Sequence, residues 1–102
     1  MKSIGVVVPI YNTKNYLVQC VESILNQTYE KLQVVLVDDG SNDGSEKICD
    51  EFEKKDSRIK VIHQVNRGKL ESRYVGAFNL ETDYITFVDS DDWIADDTYS
   101  IF

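Results

Sequence analysis

Two short acidic clusters carry most of the chemistry this sequence can offer: Asp38-Asp39-Gly40-Ser41 and Asp89-Ser90-Asp91-Asp92. A third polar segment, Pro9-Ile10-Tyr11-Asn12, adds an aromatic ring and an amide. Four or five carboxylates gathered on one surface would repel one another strongly if left unpaired. A divalent cation is the simplest relief, and Mg²⁺ or Mn²⁺ prefers oxygen ligands of this type. The same cation can join an acidic protein to a phosphorylated ligand. Each piece alone has a plainer explanation, because Asp, Asn, Ser and Gly populate turns for local reasons. An Asp-x-Asp triplet also recurs in many unrelated chains. The combination gains meaning only if the fold brings the clusters together.

The surrounding elements predict that it does. Ile4–Ile10 and Leu32–Val37 are nearly continuous apolar runs, the pattern of strands buried on both faces. Ile59–Ile62 is a shorter run, and Tyr84–Val88 is rich in β-branched and aromatic residues. Helical spacing lies between them. Leu17, Val21, Ile24 and Leu25 share one face after a cap at Asn12 or Thr13. Ile48, Cys49 and Phe52 share another after Asp43 or Ser45, and Leu70, Tyr74, Ala77 and Phe78 predict a third helix ending near Thr82-Asp83. The alternation βαβαβαβ predicts an α/β fold, a Rossmann-like parallel sheet with helices on both faces. Ligands of such sheets bind beyond the carboxyl ends of the strands. The three polar segments are all predicted at those ends, and His63 and Asn66 follow the third strand.

Composition narrows the function. The 102 residues suit one domain, 1–102, and the net charge of -7 argues against nucleic acid. No polybasic segment, signal pattern or apolar run of membrane-spanning length is present in this sequence, so the cytoplasm is the expected compartment. Cys20 and Cys49 each fall on the apolar side of a predicted helix and read as buried, reduced thiols. The lone histidine, His63, reads as a solvated or core-edge residue. Lys54 and Lys55 read as a solvated helix face, and Trp93 as a packing residue. After the last acidic cluster only about a turn of a further helix fits before Phe102, which reads as a fragment of a longer protein.

In order and spacing, Val8-Pro9-Ile10-Tyr11-Asn12, Val37-Asp38-Asp39-Gly40-Ser41 and Phe87-Val88-Asp89-Ser90-Asp91-Asp92-Trp93 resemble the start of a family 2 glycosyltransferase of GT-A type. Ser23-Ile24-Leu25-Asn26-Gln27-Thr28-Tyr29 is similar to that family's usual first-helix ending. The resemblance implies the nucleotide-sugar-binding half of an inverting enzyme that moves a sugar from a nucleotide diphosphate sugar, a UDP-sugar first, to an acceptor hydroxyl. It implies that Pro9, Tyr11 and Asn12 line the base pocket and that Asp39 accepts a hydrogen bond from the base. It further implies that Arg73 approaches the nucleotide, that Asp89 and Ser90 face the ribose and metal region, and that Asp91, with Asp89, ligates Mn²⁺ or Mg²⁺. The implied partners are the nucleotide-sugar donor and a glycan or lipid-linked acceptor in cell-envelope polysaccharide synthesis. The full-length enzyme would then work in the cytoplasm or at the inner face of the membrane, touching it only through regions outside this chain. The catalytic base of such enzymes would lie beyond Phe102. Two positions depart from the family pattern: Tyr74 replaces an Asn, and Asp96 stands where many relatives have Pro.

Rival readings fit less well. A phosphoacceptor receiver domain for signalling also gathers acids around Mg²⁺, but its acidic pair follows the first strand, and here a complete βα unit comes before the pair. An aspartyl phosphatase would carry Thr or Val where Trp93 stands. An EF-hand loop would need a Gly and a ligand where Trp93 and Ile94 stand. Neither a P-loop nor a GxGxxG fingerprint is present in the sequence.

Overall fold

A computed structural model describes residues 2–27, 29 and 31–91. It contains four parallel strands and three helices in strict alternation: β1 (Ile4–Ile10), α1 (Lys14–Leu25), β2 (Leu32–Asp39), α2 (Ser45–Lys55), β3 (Ile59–Gln64), α3 (Lys69–Phe78) and β4 (Tyr84–Phe87). The strand order is β3-β2-β1-β4. All three neighbouring pairs run parallel, with Ile10 opposite Asp38 and Asp39 opposite Gln64. The α/β architecture expected from the alternation is the observed one.

β1 and β2 hold the centre, and their apolar runs are buried on both sides. Val6, Val8, Ile10, Val34 and Leu36 face a core closed by Leu17, Cys20, Val21 and Ile24 of α1, with Cys49 of α2. Val7, Val35 and Val37 point the other way, into a smaller core with Leu80, Ile62 and Val75. This is the two-residue period of a strand covered on both faces. Cys20 and Cys49 are buried and are not joined in a disulfide, as expected. Burial, reinforced by Asp38, Asp50 and Glu46, pushes the Cys49 thiol up to about 12, so it stays un-ionised at neutral pH.

Three sequence expectations need correction. First, β2 runs on through Asp38 and Asp39, and β3 through His63 and Gln64. These residues belong to the ladder rather than to the loops after it, and their side chains therefore leave from fixed backbone positions. Second, the helix starts are not capped as expected. Thr13 occupies the N-cap position of α1 without capping it through its side chain, and Gly44 occupies that of α2. The Asp43 carboxylate accepts hydrogen bonds from the Ser45 and Lys14 amides, holding two helix starts together.

The third correction concerns α3, which ends at Phe78 and presents the opposite face to the sheet. Leu70, Tyr74 and Phe78 are exposed, Phe78 by 89%, whereas Ser72 and Gly76 are buried. The reason is proximity. A Cβ on Gly76 would sit 2.3 Å from Val7 Cγ1 and 3.2 Å from Val37 Cγ2. At the closest approach only a small residue fits, so Leu70, Tyr74 and Phe78 face outward and Val75 is left as the apolar residue of the helix packed against the sheet-side core. Hydrophobic spacing identified a helix here but not the side that packs. Tyr84, Ile85 and Phe87 of the edge strand β4 are also about half exposed. Among the described residues, no helix is long and apolar enough to cross a membrane.

Candidate functional site

The carboxyl ends of β1, β2 and β4 open onto one cleft of about 180 Å³, lined by Pro9, Ile10, Tyr11, Thr13, Asp39, Lys69, Asp89, Ser90 and Asp91. Parallel strands force this convergence, because every strand delivers its last residues to the same edge of the sheet. Six of the eight residues expected to bind nucleotide meet here: Pro9, Tyr11, Asp39, Asp89, Ser90 and Asp91. Asn12 and Arg73 do not line the cleft. Asp92, Trp93, Asp96 and Asp97 lie outside the described residues.

Asn12 supports the wall instead. Its backbone lies in the left-handed region at φ 51, which turns the chain sharply out of β1. Its amide donates to Ser41 Oγ at 3.0 Å, and its side-chain oxygen accepts from the Asn42 amide at 2.9 Å. The loops after β1 and β2 are thereby tied together behind Tyr11, whose ring is half exposed.

Asp39 is buried and holds both the end of β3 and the segment after it. Its Oδ1 accepts from the Arg67 amide at 2.7 Å and from Gln64 Nε2 at 2.9 Å, and its Oδ2 accepts from the Gly68 amide at 2.9 Å. Asn66 Nδ2 donates to the Asp39 carbonyl at 3.2 Å. Gly40, at φ 79, completes the joint: a Cβ there would lie 2.9 Å from the Asn66 backbone nitrogen. The expected base contact therefore falls on a carboxylate that already fixes a loop. An ionised carboxylate offers about four acceptor positions, so three bonds leave room for one more.

The acidic loop after β4 is anchored from three sides. The Val88 amide donates to the Val7 carbonyl at 3.1 Å. Cys20 Sγ donates to the Asp89 carbonyl at 3.4 Å, and Thr13 Oγ1 donates to Ser90 Oγ at 2.8 Å. The Asp89 carboxylate faces two cations of α3. Lys69 Nζ lies 2.8 Å from its Oδ1, and Arg73 Nη2 lies 3.7 Å away. Arg73 also stacks its guanidinium over the Phe87 ring, 5.8 Å from the centroid.

Asp89 and Asp91 thus stand in one cleft, but among the described residues no group of three His, Cys, Asp or Glu side chains is placed to enclose a metal. That arrangement still fits Mg²⁺ or Mn²⁺. Mg²⁺ keeps several waters and is commonly held by one or two carboxylates together with substrate phosphates.

Two further side chains act through carboxylates distant in sequence. Lys69 lines the cleft, and its sequence signal is its place four residues before Arg73, on the same side of α3. His63, expected as a solvated or core-edge residue, is half-exposed near the end of β3 and is the second. Its Nδ1 lies 2.7 Å from Asp38 Oδ2 and its Nε2 lies 2.7 Å from Asp50 Oδ1. Asp38 in turn accepts from the Ser41 amide at 3.0 Å. His63 therefore clamps α2 to the strand end that shapes the loop behind Tyr11.

The Asp50 hydrogen bond raises the His63 pKa; partial burial opposes this, and Asp38 adds to it. A raised folded-state pKa gives stability that is fully present below the unfolded value of about 6.5 and is lost as pH rises through the folded value. His63→Gln should therefore lower the melting temperature more at pH 6 than at pH 9. The clamp is partly exposed, so the effect should be a few degrees, on the scale of about 4–8 °C per kcal/mol. An equal penalty at both pH values would show that the imidazolium charge contributes nothing.

Comparison with known proteins places this geometry in context. The family model described as "Glycosyl transferase family 2" matches residues 5–101. Glycosyltransferase GlyG of Streptococcus pneumoniae serotype 4 is 53% identical over 90 residues, covering 87% of this chain and 30% of that protein. Glycosyltransferase GlyA of the same organism is 50% identical over 94 residues, covering 92% of this chain and 14% of that protein. The chain thus spans less than a third of either relative's length. Among solved structures, S. aureus TarS 1–349 in complex with UDP superposes with a TM-score of 0.88 at 32% identity, covering 97% of this chain and 30% of that one.

Proposed function

The chain belongs to glycosyl transferase family 2, and from that premise we propose that it forms the donor-binding part of an enzyme transferring a sugar from a UDP-sugar to an acceptor hydroxyl. One observation carries the proposal. A single cleft at the carboxyl ends of the strands holds an aromatic ring at Tyr11, a carboxylate at Asp39 and a carboxylate pair at Asp89 and Asp91. An aromatic face suits a nucleobase. A carboxylate suits the imide N–H of uracil. A pair of carboxylates beside open space suits a cation shared with a diphosphate. TarS, which shares about a third of its aligned residues with this chain, has been solved with UDP and with UDP-GlcNAc, and this supports a uridine nucleotide.

In this reading Pro9 and Tyr11 flank the base, and Asp39 spends its remaining acceptor position on it. Asn12 holds the wall behind the base, and Arg73 steadies Asp89. Asp91, with Asp89, would hold Mn²⁺ or Mg²⁺. When bound, that cation supplies Lewis-acid stabilisation of the negative charge on the leaving diphosphate. Ser90, kept in place by Thr13, sets the direction of the two flanking carboxylates. A glycan or a lipid-linked carrier would serve as the acceptor. The receiver-domain alternative has no observation in its favour, since the acidic pair ends the second strand.

Calorimetric titration tests the reading. UDP should bind in the presence of Mn²⁺, and chelation should weaken it at least about tenfold, because a bridging cation replaces carboxylate–phosphate repulsion with attraction. Asp91→Ala should abolish that metal dependence. Equal affinity with and without chelator would sink the metal bridge.

A further inference from the structure

We propose that Lys69 is a ligand for the donor diphosphate and that, before donor arrives, its ammonium group occupies Asp89 in competition with the divalent cation. The proposal rests on reading the cleft as a nucleotide diphosphate site.

The geometry sets Lys69 apart from the other cation near Asp89. Arg73 has its guanidinium over Phe87 and lies outside the cleft lining, so it belongs to the supporting layer. Among the described residues, Lys69 is the cation in the lining itself. Its Nζ lies 2.8 Å from Asp89 Oδ1, yet its side chain remains 55% exposed, against 36% for Asp89. The head group is therefore on the open side of the pair and has room to turn. Its backbone does not share that freedom. The Arg67 and Gly68 amides immediately before it both donate to buried Asp39, so the lysine stem leaves from a fixed point on the rim.

Charge then dictates two states. Without donor, the described residues of the cleft include Asp39, Asp89 and Asp91 with one lining cation, and Lys69 takes the place where its charge is most needed. A divalent cation approaching Asp89 meets an ammonium already in contact with Oδ1. The two positive charges repel, so metal binding alone is weakened. When the diphosphate arrives with its metal, it adds negative charge beside the same residue. The ammonium is released from Asp89 and turns to a phosphate oxygen, the point-charge contact that lysine commonly makes. Metal and nucleotide would then bind synergistically because each removes the other's obstacle.

Lys69→Met separates these effects by sign. Titration with Mn²⁺ alone should show tighter binding in the variant, by about threefold or more, since a competing charge is gone. Titration with UDP at saturating Mn²⁺ should show weaker binding, by about tenfold or more, the scale of a lost hydrogen bond to a charged group. Lys69→Arg, which keeps the charge, should recover most of the UDP affinity. If UDP binds wild type and Lys69→Met equally, Lys69 is not a phosphate ligand. If Mn²⁺ alone binds both equally, the competition at Asp89 is refuted. If UDP fails to bind wild type under any metal condition, the nucleotide reading itself falls, and Lys69 with it.

Discussion

Asp39→Ala should cost several kcal/mol of folding stability and most of the nucleotide affinity at once. The mutation removes the acceptor for Gln64 Nε2 and for the Arg67 and Gly68 amides. Asp39 is only 3% exposed, so water cannot simply replace it in the same geometry. A buried donor left without a partner costs roughly 1–3 kcal/mol. Relaxation of the loop, and water reaching the amides of the exposed Arg67 and Gly68, recover part of that, and a total of about 3 kcal/mol is expected from the three part-buried bonds. The same loop positions Lys69, so the donor site is disturbed from two directions. Asp39→Asn should be nearly as harmful, because it offers one acceptor oxygen instead of two and places an N–H₂ group against a backbone N–H. Urea denaturation measures the first effect, and UDP calorimetry on the folded variant measures the second. A variant as stable as wild type would show that the segment after β3 is held by something other than this carboxylate.

Gly76→Ala should be destabilising even though helix propensity favours it by about 1 kcal/mol. The added Cβ would lie 2.3 Å from Val7 Cγ1 and 3.1 Å from Val7 Cγ2. Val7 and Val37 are completely buried in the two central strands. Val7 is also β-branched and stiff about its first torsion, so it has little freedom to swing aside. The helix must lift instead. Overpacking of this kind costs typically about 1–3 kcal/mol, and a contact this short belongs at or above the top of that range. A net loss near 2 kcal/mol should lower the melting temperature by roughly 8–16 °C. Lifting α3 also draws Lys69 and Arg73 away from Asp89, so UDP affinity should fall with stability. A neutral or stabilised Gly76→Ala protein would mean that α3 packs farther from the sheet than the structure places it.

These two residues also show how far the sequence could be read. The central strands were legible because β1 and β2 are apolar on both faces, and the helix-strand alternation then left one plausible sheet direction. That direction brought the acidic clusters and Tyr11 to one edge without knowledge of any contact. Asp39 was recognisable as a site residue but not as the clamp it also is, since its partners include backbone amides of a loop 28 and 29 residues away. The packed face of α3 was not legible, because Leu70, Tyr74 and Phe78 form the stronger apolar stripe, whereas the packed side carries only Ser72, Val75 and Gly76. Apolar spacing reports a face that can be buried. The distance between helix and sheet decides which face is. The contacts of Lys69 and His63 were not legible for a common reason: a charged side chain takes its role from the carboxylate opposite it, and Asp89, Asp38 and Asp50 are all distant from their partners in sequence.

The central claim is that Asp89 and Asp91 hold the cation that joins the nucleotide to this cleft, and paramagnetic broadening by Mn²⁺ in a ¹⁵N-resolved NMR spectrum tests it most directly. Mn²⁺ added at low stoichiometry with UDP should broaden the amides of Asp89, Ser90, Asp91 and Tyr11 first. The exposed acids of α2, such as Glu51 and Glu53, should keep sharp signals. Asp91→Ala should erase the local pattern. Broadening centred on α2 or on Asp43, or the same pattern in Asp91→Ala, would contradict the account.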